Sequence, residues 1–216
     1  CRGGGCGWIR TAGGHGFERS RIQDGLAIFA LADIDMPYDL MTLAALGTIG
    51  DSAPLTGENR IITRFGLEEL GRTRHPGLQA LLDTARPPSA GGRPTTELIA
   101  FYVSPRLNAP GRLGDAEPSL RILTTSDHSE ATLLAARLDS ANNERRRLSE
   151  DAWKSAQSQI SGLAIDPSRD SNLIAVRCDG FPAGILGPLA GRLSEVYRSP
   201  AVAYAVTDGV ARGSMR

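Results

Sequence analysis

"DHSEATLLAARLDSANNERRRLSEDAWKSAQSQI", Asp127 to Ile160, contains neither glycine nor proline and sets Leu134, Leu138 and then Trp153 against a polar background. Apolar residues at that spacing in a charged field read as one long amphipathic helix. A helix of this length can join two domains as well as pack on one.

Downstream the pattern changes. "NLIAVRCDG" reads as a strand, "GILGPLAGRLSEVY" as a helix, "PAVAYAV" as a second strand and "GVARGSMR" as a third. The order β-α-β-β predicts a small α/β unit whose first two strands run parallel. A boundary is therefore expected within or just after the long helix, near Gly162. Pro188 makes the first turn of the helix between the strands less certain.

Upstream, "ENRIITRFGLEELGRT" and "HPGLQALLDTA" read as helices, the second with Pro76 in its first turn, and "PPSAGGRP" as a loop. Thr95 and Thr96 cap a segment that is apolar to Val103 and turns irregular through Pro105, Pro110 and two glycines. Asp39 reads as the N-cap of a helix through Leu46, and apolar residues recur at helical spacing from Ile22 to Ala32. Residues 1 to 17 are glycine-dominated and aperiodic, so a disordered leader is expected there.

The 216 residues are 41% hydrophobic and 22% charged with zero formal net charge, enough for one large or two small domains. No global positive field advertises a polyanionic partner. Lys154 is the only lysine, however, so the basic residues are almost all arginine, the side chain suited to bidentate phosphate contacts. Cys1, Cys6 and Cys178 form neither a disulfide framework nor a paired zinc motif, which fits a reducing cytoplasm. No apolar run reaches the roughly 18 residues of a membrane span. The start is neither Met nor a signal peptide, so the chain reads as a fragment.

Four constellations can carry chemistry. In "LAALGTIGDSAPLTGENR" a helix-like run breaks at Gly47 and Gly50 to present Asp51, an oxygen ligand on a rigid support, although a turn or cap residue is the blander explanation. "SPRLNAPGRLGDA" carries Arg106, Asn108 and Arg112 on what reads as a kinked loop; surface pairing of either arginine with Asp115 or Glu117 is the simpler alternative. In "GVARGSMR", Gly213 allows close backbone approach, and Ser214 and Arg216 share one strand face, a spacing suited to phosphate. Gly184 and Gly187 open a helix whose amides can hold an anion, though packing explains glycines as well. His15, His75 and His128 have no partner at ligand spacing and read as surface residues.

Taken in order, "LAALGTIGDSAPLTGENR", "RFGLEEL", "HPGLQALL", "SPRLNAPGRLGDAEPSLRILTT", "NNERRRL", "GILGPLAGRLSEVYRSPAVAY" and "GSMR" resemble the RecJ-type single-strand-specific exonucleases of the DHH phosphoesterase superfamily, over about residues 39 to 216. The resemblance implies an α/β fold. Residues 21–125 would be the helical C-terminal part of a DHH nuclease core, 126–162 the connecting helix and 163–216 a truncated DHH-associated domain, with 1–20 an anomalous leader. It further implies a core holding two Mn2+ or Mg2+ ions, with Asp51 matching the last of four metal motifs. Arg112, Ser214 and Arg216 would grip a terminal 5′ phosphate or neighbouring backbone of single-stranded DNA, with Asn108 and Gly213 in the same motifs.

Nucleotides would then leave successively from the 5′ end in repair and recombination, in the cytoplasm, with a helicase or single-strand-binding protein as partners. The sequence departs from the family in lacking a DHH triplet and a DxDxDG stretch, so at least three of four metal motifs are absent and this polypeptide alone is expected to be inactive. The glycine-rich family motif after Ser-x-Arg is missing too, and "GGHGF" at Gly13 to Phe17 lies on the wrong side of the core. A non-catalytic nucleic-acid-binding or replication scaffold of the same fold, or a phosphoesterase for short oligonucleotides, are the alternatives.

Overall fold

The computed structural model describes residues 38–87, 92–162 and 173–216. The expected leader, the Ile22–Ala32 helix, Cys1, Cys6 and His15 lie outside them. The chain divides into two compact units, Cys1–Glu69 and Leu70–Arg216.

In the first unit, α1 (Tyr38–Gly50) and α2 (Gly57–Leu70) pack through Met41, Ala45 and Ile62. Asp39, expected as an N-cap, stands within the first described turn of α1. Gly66 explains the glycine inside "RFGLEEL". A Cβ there would lie 2.4 Å from both the Ala45 Cβ and the Met41 carbonyl, so only glycine lets the two helices cross this closely.

The second unit begins with α3 (Pro76–Ala85), where Pro76 sits in the first turn as expected. The His75 Nδ1 accepts from the Leu78 N–H at 3.3 Å, which makes this histidine a helix cap. Thr95 then caps α4 (Thr96–Leu98), its hydroxyl accepting from the Leu98 N–H at 3.2 Å. A π-helical stretch, Ile99–Val103, leads into α5 (Ser104–Leu113).

Helix α5 corrects the reading of "SPRLNAPGRL" as a loop. Pro105 falls in the first turn, where a missing N–H costs little, and Pro110 falls in the interior. Side chains take carbonyls along the helix. Arg106 donates to the Tyr102 carbonyl at 2.7 Å, and the Ser119 hydroxyl to that of Leu107 at 2.7 Å. Gly114, at φ 119°, ends the helix with its N–H on the Pro110 carbonyl at 3.1 Å.

After α6 (Glu117–Thr124), Asp127 opens α7, its carboxylate accepting from the N–H groups of Ser129 and Glu130 at 2.6 and 3.1 Å. Helix α7 (His128–Gly162) is the single long helix that Asp127–Ile160 predicts. Its buried stripe runs through Ala131, Ala135, Leu138 and Asn142, then Ala152, Trp153, Ala156 and Ile160. The helix packs on α3, α5 and α6, and also on the α/β elements that follow. No helix among the described residues is long and apolar enough to cross a membrane.

Strand β1 (Ile174–Arg177), helix α8 (Ala183–Tyr197), β2 (Ala201–Thr207) and β3 (Val210–Met215) complete the unit. The sheet order is β1-β2-β3, with β1 parallel to β2, as the sequence order suggests, and β3 antiparallel to it. Val176, Ala201 and Ala203 bury one face of the sheet against Ile185, Leu186, Leu189 and Leu193 of α8 and against Trp153 and Ile160 of α7. Cys178, a free thiol in this core, is pushed up by burial and secondarily by Asp179, which leaves it inert.

Two stability tests follow from this packing. Leu138 is fully buried, so Leu138→Ala is expected to lower unfolding free energy by about 2–5 kcal/mol in a urea titration. The Asp179 carboxylate is held below its usual range, first by the Val206 N–H at 2.8 Å and then by Arg177. A depressed carboxylate stabilises above its unfolded value of about 3.9 and loses that contribution as pH falls through the folded one. Asp179→Asn is therefore expected to unfold more readily at pH 7, with the difference from the parent chain shrinking below about pH 4.

Candidate phosphate-binding cleft

Asp51 lies in the first unit, one residue beyond α1. Its N–H bonds the Gly47 carbonyl at 3.0 Å, and Ser52 turns the chain at φ 54°. The side chain is exposed and makes no hydrogen bond or ion pair among the described residues. A carboxylate at a helix C-terminus faces the negative end of the dipole, so capping does not account for it. An oxygen ligand for a hard cation is the chemistry it offers. No group of three or more His, Cys, Asp or Glu side chains placed to hold a metal exists among the described residues.

The second unit holds a cleft of 630 Å³ between the end of α5, the start of α8 and the end of β3, lined by Arg112, Gly184, Gly187, Pro188, Ser214 and Arg216 among others. Three constellations that residue spacing left separate meet here, two of them already joined by the resemblance. β3 places Ser214 and Arg216 on one face, where they approach Gly187: a Cβ on that glycine would lie 3.6 Å from the Ser214 hydroxyl and 3.9 Å from the Arg216 guanidinium. Arg216 donates to the Ser214 hydroxyl at 3.2 Å, leaving that group its own proton to donate.

Arg112 reaches the cleft from α5 and donates to the Gly184 carbonyl at 3.1 Å. Gly184 is obligatory at this crossing, because a Cβ would lie 2.5 Å from the Arg112 carbonyl oxygen. Neither Arg112 nor Arg216 has a carboxylate partner among the described residues. The simpler alternative of pairing with Asp115 or Glu117 does not hold, since Asp115 pairs with Arg137 at 3.3 Å.

The other site residues lie elsewhere. Arg106 stands six positions before Arg112 on a regular helix, hence on a different face. It pairs with Asp139 at 2.7 Å and is largely buried, so the two arginines do not aim at one point. Asn108 is exposed on α5 outside the cleft lining. Gly213 also lies outside it, opposite Tyr204 on β2, where a Cβ would come within 2.5 Å of the Ala203 carbonyl; sheet packing requires this glycine. His128 is exposed at the start of α7.

Arg145 was not singled out in the sequence. Its guanidinium donates to the Asn142 side-chain amide oxygen, Oδ1, at 3.0 and 3.3 Å. Burial, then the like charges of Arg146 and Arg112, push its proton affinity down, which places Arg145 within electrostatic reach of Arg112. The signal was present in the continuation of the Leu138–Asn142 spacing, which brings Arg145 to the packed side of α7.

Arginines without acid partners, a free hydroxyl proton and the amide end of α8 form a module whose chemistry suits a phosphate. Comparison with known proteins gives this module its relatives. No family model matches the chain. The single-stranded-DNA-specific exonuclease RecJ of Bacillus subtilis is 35% identical over 186 residues, covering 84% of this chain and 23% of that protein. RecJ of Escherichia coli is 34% identical over 187 residues, covering 82% and 31%.

Among solved structures, Thermus thermophilus RecJ in complex with Mg2+ superposes at TM-score 0.70 with 30% identity over 83% of this chain and 27% of that one. A manganese-bound exonuclease RecJ superposes at TM-score 0.74 with 30% identity over 88% and 45%. The chain belongs to the RecJ family of single-stranded-DNA-specific exonucleases, as its motifs implied. It spans about a quarter to a third of the length of the curated relatives it matches.

Glu195 is the acid that lines the cleft. Its like charge opposes an anion, so Glu195→Gln is expected to tighten inorganic phosphate binding by about twofold to threefold at low salt, read by calorimetry.

Proposed function

We propose that this chain is the phosphate-gripping part of a metal-dependent exonuclease that degrades single-stranded DNA from its 5′ end. One observation carries the reading. Arg112, from one side of the long helix in sequence, and Ser214 and Arg216, from the other, line a single cleft without a compensating ion pair. A terminal phosphate, carrying about −1.5 to −2 charge near neutral pH, matches two guanidinium groups and a hydroxyl donor.

In this reading Arg112 keeps one N–H on Gly184 and offers its remaining donors to the phosphate, while Ser214 donates its hydroxyl proton and Arg216 closes the opposite side. The amide end of α8 adds favourable field. Asn108, exposed on α5, is assigned to the sugar–phosphate backbone, and Gly213 keeps the strand close to β2. Residues 21–125, 126–162 and 163–216 take the roles of core segment, connecting helix and DHH-associated domain.

Asp51 fits one oxygen ligand of Mn2+ or Mg2+, and the described residues supply no further cluster, so the remaining ligands belong to a DHH-bearing segment. A divalent pair bound there would supply polarisation of the scissile phosphodiester and an activated water. The contribution of this chain is to hold one cation edge and to fix the strand end. A helicase or single-strand-binding protein is the assigned source of that strand.

The test joins the chain to a segment carrying the DHH metal motifs and follows digestion of 5′-phosphorylated single strands. Manganese-dependent release of nucleotides is expected, lost in Asp51→Ala; full activity in that variant refutes the assignment. Arg112→Ala is expected to raise KM by about tenfold or more with a smaller change in kcat. In the unaltered chain, the logarithm of affinity for single strands should fall by about 0.7 per phosphate contact for each tenfold rise in salt.

A further inference from the structure

We propose that Pro188 is a positioning residue for Arg112: by lacking an N–H, it leaves the Gly184 carbonyl to the Arg112 guanidinium and so pre-sets the phosphate grip. This inference rests on reading the cleft as a phosphate site. Inside α8 the residue at position 188 would normally donate to the carbonyl four residues earlier, that of Gly184. Proline cannot make this bond, and its ring pushes that carbonyl away from the helix axis. The same carbonyl accepts from the Arg112 Nη1 at 3.1 Å, a contact between residues 72 apart in sequence.

Local stability gives no reason for proline here. Pro188 is exposed, so it fills no core, and in a helix interior it is the most disfavoured residue. Its position is explained by what it does to the Gly184 carbonyl. Arg112 is thereby fixed twice, by backbone contact with a side chain-free Gly184 and by the bond to its carbonyl. Holding a long, rotamer-rich arginine in place before the anion arrives removes an entropy cost from binding. Arginine has five N–H donors, so the bond to Gly184 leaves four for a phosphate.

Replacing Pro188 with alanine restores the N–H and lets the Gly184 carbonyl turn back into the helix ladder. The experiment compares the 216-residue chain with Pro188→Ala, Arg112→Ala and the double variant. It reads thermal unfolding and the affinity for a 5′-phosphorylated oligothymidylate against its unphosphorylated twin. Pro188→Ala is expected to unfold at a higher temperature than the parent, yet to bind the phosphorylated probe about threefold to tenfold more weakly. The double variant should bind no more weakly than Arg112→Ala alone.

A Pro188→Ala chain that binds as tightly as the parent while Arg112→Ala is impaired overturns the role of Pro188 and leaves the phosphate site standing. Loss of both stability and affinity also overturns it, because proline would then be structural. Unchanged phosphate preference in Arg112→Ala overturns the reading of the cleft itself.

Discussion

Small side chains along one face of α7 govern how near every neighbouring element of the second unit can come. Ala131 and Ala135 are fully buried in the half that meets α3, α5 and α6, and Ala152 and Ala156 in the half that meets β1 and α8. Alanine leaves room for close backbone approach, and Leu138, Trp153 and Ile160 fill what remains. The middle of the stripe is polar: Asn142 is buried, Arg145 is bonded to it, and the Ser149 hydroxyl turns back to the Arg145 carbonyl at 2.8 Å. This polar middle lies within electrostatic reach of Arg112. The helix that organises the core thus also concentrates positive charge beside the cleft.

A second constraint is the supply of backbone donors. Pro105, Pro110 and Pro188 each remove an N–H from a helix, and carbonyls of α8 and of the Thr96–Leu113 segment accept from side chains: Arg106 on Tyr102, Ser119 on Leu107 and Arg112 on Gly184. Buried or half-buried carbonyls need partners, so each such bond also ties a side chain to one orientation. Arg106 is spent on this internal role and on Asp139, whereas Arg112 keeps donors in reserve. The structure separates two arginines that the sequence presents as equivalents.

Periodicity was enough for much of this fold. The run to Ile160 without glycine or proline read most economically as one helix, and the β-α-β-β order gave β1 and β2 their correct parallel sense. What failed was the local rule that proline and glycine break helices, applied to "SPRLNAPGRL". That rule counts the N–H groups that Pro105 and Pro110 remove but not the side chains, such as Arg106 and Ser119, that bond carbonyls of the same segment. Ser214 and Arg216 could be placed on one face by strand geometry alone. That they would meet Arg112 came from the family resemblance and not from the residues themselves, because the meeting depends on a glycine at 184 whose tolerance for close approach exists only in three dimensions.

Net charge would have hidden the site as well. Several surface arginines are paired where they stand: Arg121 with Glu130, Arg137 with Asp115, Arg147 with Glu144 and Asp151, and Arg192 with Glu150. Glu130 is held below its usual range chiefly by Arg121. Arg112 and Arg216 have no acid partner among the described residues and line one cleft, so a formally neutral chain keeps a local positive field there. Such a field discriminates by charge at short range. An internal phosphodiester brings one negative charge, whereas a terminal phosphate near neutral pH brings up to about two and a third free oxygen. For the proposed ligand, the same two guanidinium groups therefore reward a strand end over a strand middle, and the preference fades as the terminal phosphate takes up a proton below about pH 6.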